Sequence, residues 1–156
     1  MRSIALTACW LLLFAANGLA YGIVINEVMA DNDTTVLDQN GENDDWVELY
    51  NPSDTAVFLH SLYLSDRESN PGRWRLPDTT IGANSYLIVW ADEDVTQAGL
   101  HASFKLSASG EGVFLFDSLL SLLDSVNFGV QTTDISYGRY PNGSGAFNFM
   151  YPTFSE

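Results

Sequence analysis

The sequence is poor in cysteine and in basic residues. A single cysteine, Cys9, occurs among 156 residues, which excludes a disulfide framework and a cysteine-based zinc cluster. Six Lys and Arg residues stand against 20 Asp and Glu residues, so the formal net charge is −14. Because a surface that binds nucleic-acid phosphates needs clustered Lys and Arg, we expect no nucleic-acid partner.

The residues and motifs that many enzymes use are equally scarce. The chain has two histidines, His60 and His101, each alone in its segment, and one lysine, Lys105. Neither a G-x-S-x-G motif, nor an H-E-x-x-H motif, nor a phosphate-binding glycine loop occurs. These absences predict a protein that is not an enzyme, with both histidines either structural or exposed.

Apolar residues, in contrast, are abundant. Hydrophobic residues make up 46% of the chain and aromatic residues 13%. An acidic disordered chain would be poor in both, so the sequence predicts one domain with a packed core.

The first twenty residues have the pattern of a secretory signal peptide. Arg2 precedes an apolar run over residues 4–16, and Gly18 and Ala20 are small residues at a cleavage site. As a helix that run would span about 20 Å, against about 30 Å for a membrane core. We therefore predict a signal peptide over residues 1–20, a domain over residues 21–156, no transmembrane segment after cleavage, and an extracellular or cell-surface location. A membrane anchor and a lipoprotein signal at Cys9 are the alternatives.

The remaining residues favour strands over helices. Short apolar runs rich in β-branched and aromatic residues alternate with turn residues, which is typical of an antiparallel sandwich or barrel with about eight or nine short strands. The run at residues 86–90 is apolar at every position, as in a central strand covered on both faces. Residues 117–123 favour a hairpin connection over a helical turn. The predicted strands cover residues 23–29, 46–50, 57–64 (as two short strands), 73–76, 86–90, 104–106, 113–116, 122–128 and 137–140.

Several segments, taken in order, resemble a known family. They are Ile25-Asn26-Glu27-Val28-Met29-Ala30, Asp45-Trp46-Val47-Glu48-Leu49-Tyr50-Asn51-Pro52-Ser53, Trp74-Arg75-Leu76-Pro77, Ile81-Gly82-Ala83, Tyr86-Leu87-Ile88-Val89-Trp90-Ala91-Asp92, Phe104-Lys105-Leu106-Ser107, Gly110-Glu111-Gly112-Val113 and Asp124-Ser125-Val126-Asn127-Phe128-Gly129. Together they look like the lamin-tail domain in its bacterial secreted form, over roughly residues 23–154. The resemblance implies an immunoglobulin-like β-sandwich. It also implies an accessory role in binding or attachment, beside exported enzymes such as nucleases or in surface proteins.

One acidic loop has the composition of a metal site. Asp38, Asn40, Glu42 and Asp44 occupy every second position around Gly41. Oxygen ligands at this spacing could surround a calcium ion, which takes six to eight of them, although the loop lacks the EF-hand pattern. The alternative is a solvated acidic loop. We predict a calcium site at these four residues.

Two glutamates, Glu27 and Glu48, lie inside apolar strands. Strand alternation predicts an outward face for Glu48, and an ion pair with Arg73 or Arg75 would explain Glu27. A general acid–base pair of a glycosidase is the third possibility.

The resemblance and the residues together predict a secreted, non-catalytic binding or adhesion module whose partner is a protein or glycan surface. The alternative is an ion-stabilised structural or spacer domain of a larger exported protein, placed beside a nuclease or other hydrolase. An exposed aromatic strip would favour the binding module. The candidate aromatic residues are Trp46, Trp74, Trp90, Tyr50, Tyr86, Tyr137 and Tyr140.

Overall fold

A computed structural model describes residues 22–156. The predicted signal peptide over residues 1–20, its cleavage site and Cys9 lie outside the described residues. Within residues 22–156 the structure has twelve strands and no helix. The strands are β1 (Val24–Met29), β2 (Trp46–Asn51), β3 (Val57–Leu59), β4 (Tyr63–Ser65), β5 (Trp74–Arg75), β6 (Thr79–Ile81), β7 (Ser85–Ala91), β8 (His101–Ala102), β9 (Glu111–Phe116), β10 (Leu122–Phe128), β11 (Ser136–Tyr140) and β12 (Ala146–Met150).

These strands form a sandwich, as the sequence predicted. One sheet has six strands in the order β12-β11-β1-β2-β7-β8, and the facing sheet has four in the order β10-β9-β4-β5. A small third sheet pairs β3 with β6. Every pairing is antiparallel except that of β7 with β8, which is parallel. That pair corrects the purely antiparallel expectation: after β7 the chain loops back and re-enters the sheet in the same direction.

The main core fills the space between the two large sheets. Alternate residues of each strand point inward, because successive side chains of a strand face opposite sides. Most of these inward residues are aliphatic and completely buried, so the sheets are held together chiefly by hydrophobic burial. Examples are Ile25, Val28, Val47, Leu49 and Val89 from the six-stranded sheet, and Leu64, Val113, Leu115 and Val126 from the four-stranded sheet.

A β-bulge in β1 changes which residues face outward. Ile25 pairs with Leu49 and Glu27 pairs with Glu48, so Asn26 is an extra residue in β1. Bulges re-aim side chains locally. Here the bulge brings Glu27 onto the same outer face as Glu48.

Most of the sequence-predicted strands are confirmed. The two short strands around His60, the hairpin connection after β9 and the position of β7 agree with the structure. In β7, Val89 joins the main core and Trp90 joins a second cluster on the outer face, so this part of the strand is covered on both sides. The predicted strand at residues 104–106 is wrong, since only one isolated bridge, Asp92 with Lys105, forms there. The strands β6, β8 and β12 were not predicted.

Candidate functional site

The acidic loop brings three of its carboxylates together. Asp38, Glu42 and Asp44 each offer one oxygen atom, and these atoms lie within 4.8 Å of one another. Asp38 organises the loop, because its Oδ1 accepts hydrogen bonds from the backbone N–H groups of Asn40 at 2.8 Å and Glu42 at 2.9 Å. Gly41 has a φ of 84°, a left-handed conformation that glycine adopts without strain. The fourth predicted ligand, Asn40, presents its amide nitrogen to Asp38 Oδ2 at 3.4 Å.

Residues 92–100, which connect β7 to β8, contact this group of carboxylates from another part of the chain. Gln97 donates a hydrogen bond to Glu42 Oε2 at 2.8 Å. Asp92 and His101 are both buried, with His101 Nδ1 lying 2.5 Å from Asp92 Oδ2. Sequence reasoning left His101 isolated, since only the parallel pairing of β8 with β7 brings it beside Asp92.

The surroundings of Asp44 disfavour the charged, deprotonated form of its side chain. Burial raises the pKa of Asp44, and the charges of Asp92, Asp38, Glu42 and Asp94 raise it further. Its Oδ2 atom is buried and accepts no hydrogen bond within the described part of the chain. A buried acceptor without a donor is costly unless another group compensates it. A hard cation bound by Asp38, Glu42 and Asp44 would supply that compensation.

Two neighbouring carboxyl groups, those of Asp38 and Asp45, have pKa values shifted in opposite directions. Burial also works to raise the pKa of Asp38, but the backbone N–H groups of Glu42, Asn40 and Gly41 outweigh it, so the net shift is downward. Burial raises the pKa of Asp45 to about 7. The acidic loop thus contains carboxyl groups whose proton affinities are pushed in opposite directions.

Glu48 lies on the outer face, as strand alternation predicts, but that face is covered, and the ion pair expected for Glu27 does not form within residues 22–156. Glu48 does point away from the main core, but it is 0% exposed and Glu27 is 1% exposed. Within residues 22–156 neither glutamate pairs with an arginine, since Arg73 binds Asp66 and Arg75 binds Asp78. Alternation within a strand shows which face a residue occupies, but it cannot show that another segment covers that face.

The covering segment is residues 151–156, here called the closing strap. Thr153 donates its N–H to Glu27 Oε1 at 3.2 Å and its hydroxyl to Glu27 Oε2 at 2.5 Å. Ser155 donates its N–H to Glu48 Oε2 at 2.6 Å. Burial raises the pKa of Glu48 to about 7, against the lowering effect of hydrogen bonds from Asn26 and Ser155. Both glutamates therefore accept hydrogen bonds from the strap and are covered by it, which argues against the acid–base role.

The aromatic residues divide between core and surface. Trp46 and Trp90 form the outer-face cluster with Met29, whereas Tyr140 is 73% exposed. Tyr137 packs against Phe147 and Phe149 of β12, with ring centroids 5.4 Å and 5.1 Å apart. Sequence reasoning missed Phe147 and Phe149; the signal that could have found them is the turn Pro141-Asn142-Gly143-Ser144-Gly145, which follows the strand ending at Tyr140 and is typical of a hairpin loop.

Across residues 22–156 the structure contains no helix of the length and hydrophobicity that a membrane crossing requires.

Comparison with known proteins identifies the family of this chain. A family model described as "Lamin Tail Domain" matches residues 20–130, which is more than half of the chain. No curated protein matches the chain. The match ends before β11 and β12, so it covers the acidic loop and the glutamate pair but not the aromatic residues of β12.

Proposed function

Since this chain belongs to the lamin tail domain family, we propose that it is an exported, non-catalytic binding module that pairs with an extended segment of a partner protein along β12. The family supports an immunoglobulin-like domain, and the pattern of residues 1–20 supports export. The observation that carries the binding role is the open edge of the six-stranded sheet.

The edge strand β12 is exposed to pairing. Among the strands of residues 22–156, it lies at the end of the sheet and bonds only to β11. Proteins usually protect such edges with charged residues, proline or bulges. Ala146, Phe147, Asn148, Phe149 and Met150 include no charge and no proline, and their register with β11 is unbroken.

The side chains beside this edge fit an apolar partner strand. Phe149 is 56% exposed, and Phe147 is held under the guanidinium of Arg139, 4.4 Å from its ring centroid. Arg139 is itself paired with Asp124 at 3.1 Å. A bound strand would gain main-chain hydrogen bonds from β12 and would bury Phe149, which is the usual chemistry of strand addition.

The test uses arrays of extended peptides with alternating apolar and polar residues, with a glycan array in parallel. We expect binding to a subset of peptides, with increased hydrogen-exchange protection of residues 146–150. Phe149→Lys should abolish binding. Phe58→Lys is the matched control, because Phe58 also lies on a strand and is 58% exposed. Binding to glycans alone, or peptide binding that survives Phe149→Lys, would refute the proposal.

A cation-stabilised structural domain is the second candidate, and the acidic loop favours it. Asp38, Glu42 and Asp44 converge, and Asp44 Oδ2 is buried without a donor in the described residues. Calcium would neutralise the mutual repulsion of these groups and would be bound only by the folded chain, so it would raise the free energy of unfolding.

A further inference from the structure

The outer face of the six-stranded sheet contains a groove that the closing strap fills. Its floor consists of Glu27 and Glu48, which are cross-strand neighbours in β1 and β2. The aromatic residues Trp46 and Trp90 lie beside the glutamates on the same face. The strap follows directly after β12, but the groove lies over β1 and β2, on the face of the sheet, whereas the strand edge proposed for pairing is the outer side of β12.

The glutamates hold the strap mainly through its backbone. The N–H groups of Thr153 and Ser155 each donate to one carboxylate, at 3.2 Å and 2.6 Å. Only the Thr153 hydroxyl adds a side-chain hydrogen bond. Carboxylates that accept N–H groups two residues apart recognise a peptide conformation more than a particular sequence.

The residue between these donors, Phe154, enters an aromatic pocket. Its ring centroid lies 5.3 Å from that of Trp46, edge to face, and 5.7 Å from that of Trp90. Met29, Val36 and Ile88 belong to the same cluster. The pocket therefore selects for an apolar aromatic side chain at the central position.

The strap contacts the groove through hydrogen bonds to the two glutamates and through the Phe154 ring, and it does not join the sheet as a strand. Residues 151–156 form no sheet pairing. Phe154 and Ser155 have φ values of 43° and 73°, which are unfavourable for residues with a Cβ atom. The contacts with the groove, not local preference, hold this conformation.

The groove also has an unmet electrostatic preference. Of the ion pairs among residues 22–156, none includes Glu27 or Glu48. The strap contains no basic residue and one acidic residue, Glu156, whose backbone carbonyl accepts a hydrogen bond from Asn142 at 3.2 Å. A segment that replaces this acidic residue with a basic one would match Glu27 better, and would also match Glu48 above about pH 7, where that carboxyl group loses its proton.

We propose that this groove is a peptide-binding site, which the strap of the same chain fills. The ligand that the groove accepts is a basic segment of a partner protein, in which an aromatic residue lies between two residues whose backbone N–H groups are free to donate. The strap then acts as a competitor that lowers the apparent affinity of the partner segment.

The probe is a synthetic peptide, Tyr-Pro-Thr-Phe-Ser-Lys, added to the full chain. We expect Phe154→Ala, which weakens the strap, to bind this peptide at least tenfold more tightly than the unmodified protein. Adding Glu48→Gln to Phe154→Ala should remove most of the gain, and a peptide with Ala in place of Phe should not bind. Tyr151→Ala is the matched control, since Tyr151 is in the strap but 83% exposed, and it should behave as the unmodified protein does.

A second measurement does not depend on the folding of the variant. In the unmodified protein the amides of Thr153 and Ser155 should be protected from hydrogen exchange, and excess peptide should remove that protection. Protection that persists at saturating peptide, or a folded Phe154→Ala chain that binds no peptide, would overturn the proposal. Phe149→Lys should leave peptide binding in the groove unchanged, which separates this result from the one for β12.

Discussion

Replacing Glu48 by Gln should change how the stability of the protein depends on pH. The carboxyl group is 0% exposed, and burial raises its pKa from 4.5 to about 7. The unfolded chain loses this proton near pH 4.5, whereas the folded chain retains it to about pH 7. Between those values the folded state binds more protons, so the free energy of unfolding falls as the pH rises.

The size of the effect follows from the shift. A difference between pKa 4.5 and about 7 corresponds to about 3 kcal/mol of stability, present below pH 4.5 and lost above pH 7. In a domain of this size that is roughly 10 °C in melting temperature. Glu48→Gln has no proton to lose, so it should gain about this much relative to the unmodified protein between pH 4.5 and pH 8.

The assay is urea unfolding followed by tryptophan fluorescence at several pH values. Another carboxyl group, that of the half-buried Asp45, titrates in the same range, but it is present in both proteins and cancels in the difference. Gln should still accept the hydrogen bond from Asn26, while its amide group meets the N–H of Ser155, which gives a constant offset of about 1 kcal/mol. Stability curves that run parallel from pH 4.5 to pH 8 would refute the reasoning.

Three further outcomes are expected. Saturating calcium at a hundredfold excess over Kd should raise stability by about 2.7 kcal/mol, and several degrees in melting temperature, relative to chelator. The double variant Asp38→Ala, Asp44→Ala should abolish this difference. If the unmodified protein melts at the same temperature in calcium and in chelator, the loop is a solvated turn that binds no calcium. Leu115→Ala, in the completely buried core, should cost about 2–5 kcal/mol in a chemical unfolding experiment. Leu119→Ala, at 83% exposure, should change little, and equal losses would contradict the packing described here. Exported protein should begin, by N-terminal sequencing, at the residue after Ala20, and a retained leader would contradict the predicted cleavage.

Much of the fold could be predicted because strand periodicity is a local property. The runs that became β1, β2, β7, β9 and β10 are long enough for composition and turn residues to mark them. Two-residue β8 has no such signal, because its pairing depends on where the loop after β7 brings the chain. Phe104 and Leu106 are buried like strand residues, but Lys105 between them forms only one isolated bridge, so the apolar pattern at residues 104–106 did not indicate a strand.

The candidate sites were predictable to different degrees. The approach of Asp38, Glu42 and Asp44 to one another follows from their spacing within one short loop, whereas the calcium site at these residues and Asn40 stays a prediction. The contributions of Asp92 and Asp94 were not predicted, since they come from a loop about 50 residues later in the sequence. The strap over Glu27 and Glu48 could not be predicted, because a contact between segments this distant leaves no periodic signal in either of them.

The position of β1 has a consequence for the order of folding. This strand lies between β2 and β11, so one of its neighbours comes from early in the chain and the other from late. Arg139 Nε donates to the Ile25 carbonyl across 114 residues of sequence. Contacts of such separation slow folding, because loop-closure entropy is lost before they form. The six-stranded sheet cannot be completed until β11 (Ser136–Tyr140) has been synthesised, so nearly the whole chain must be made before β1 can pair on both sides.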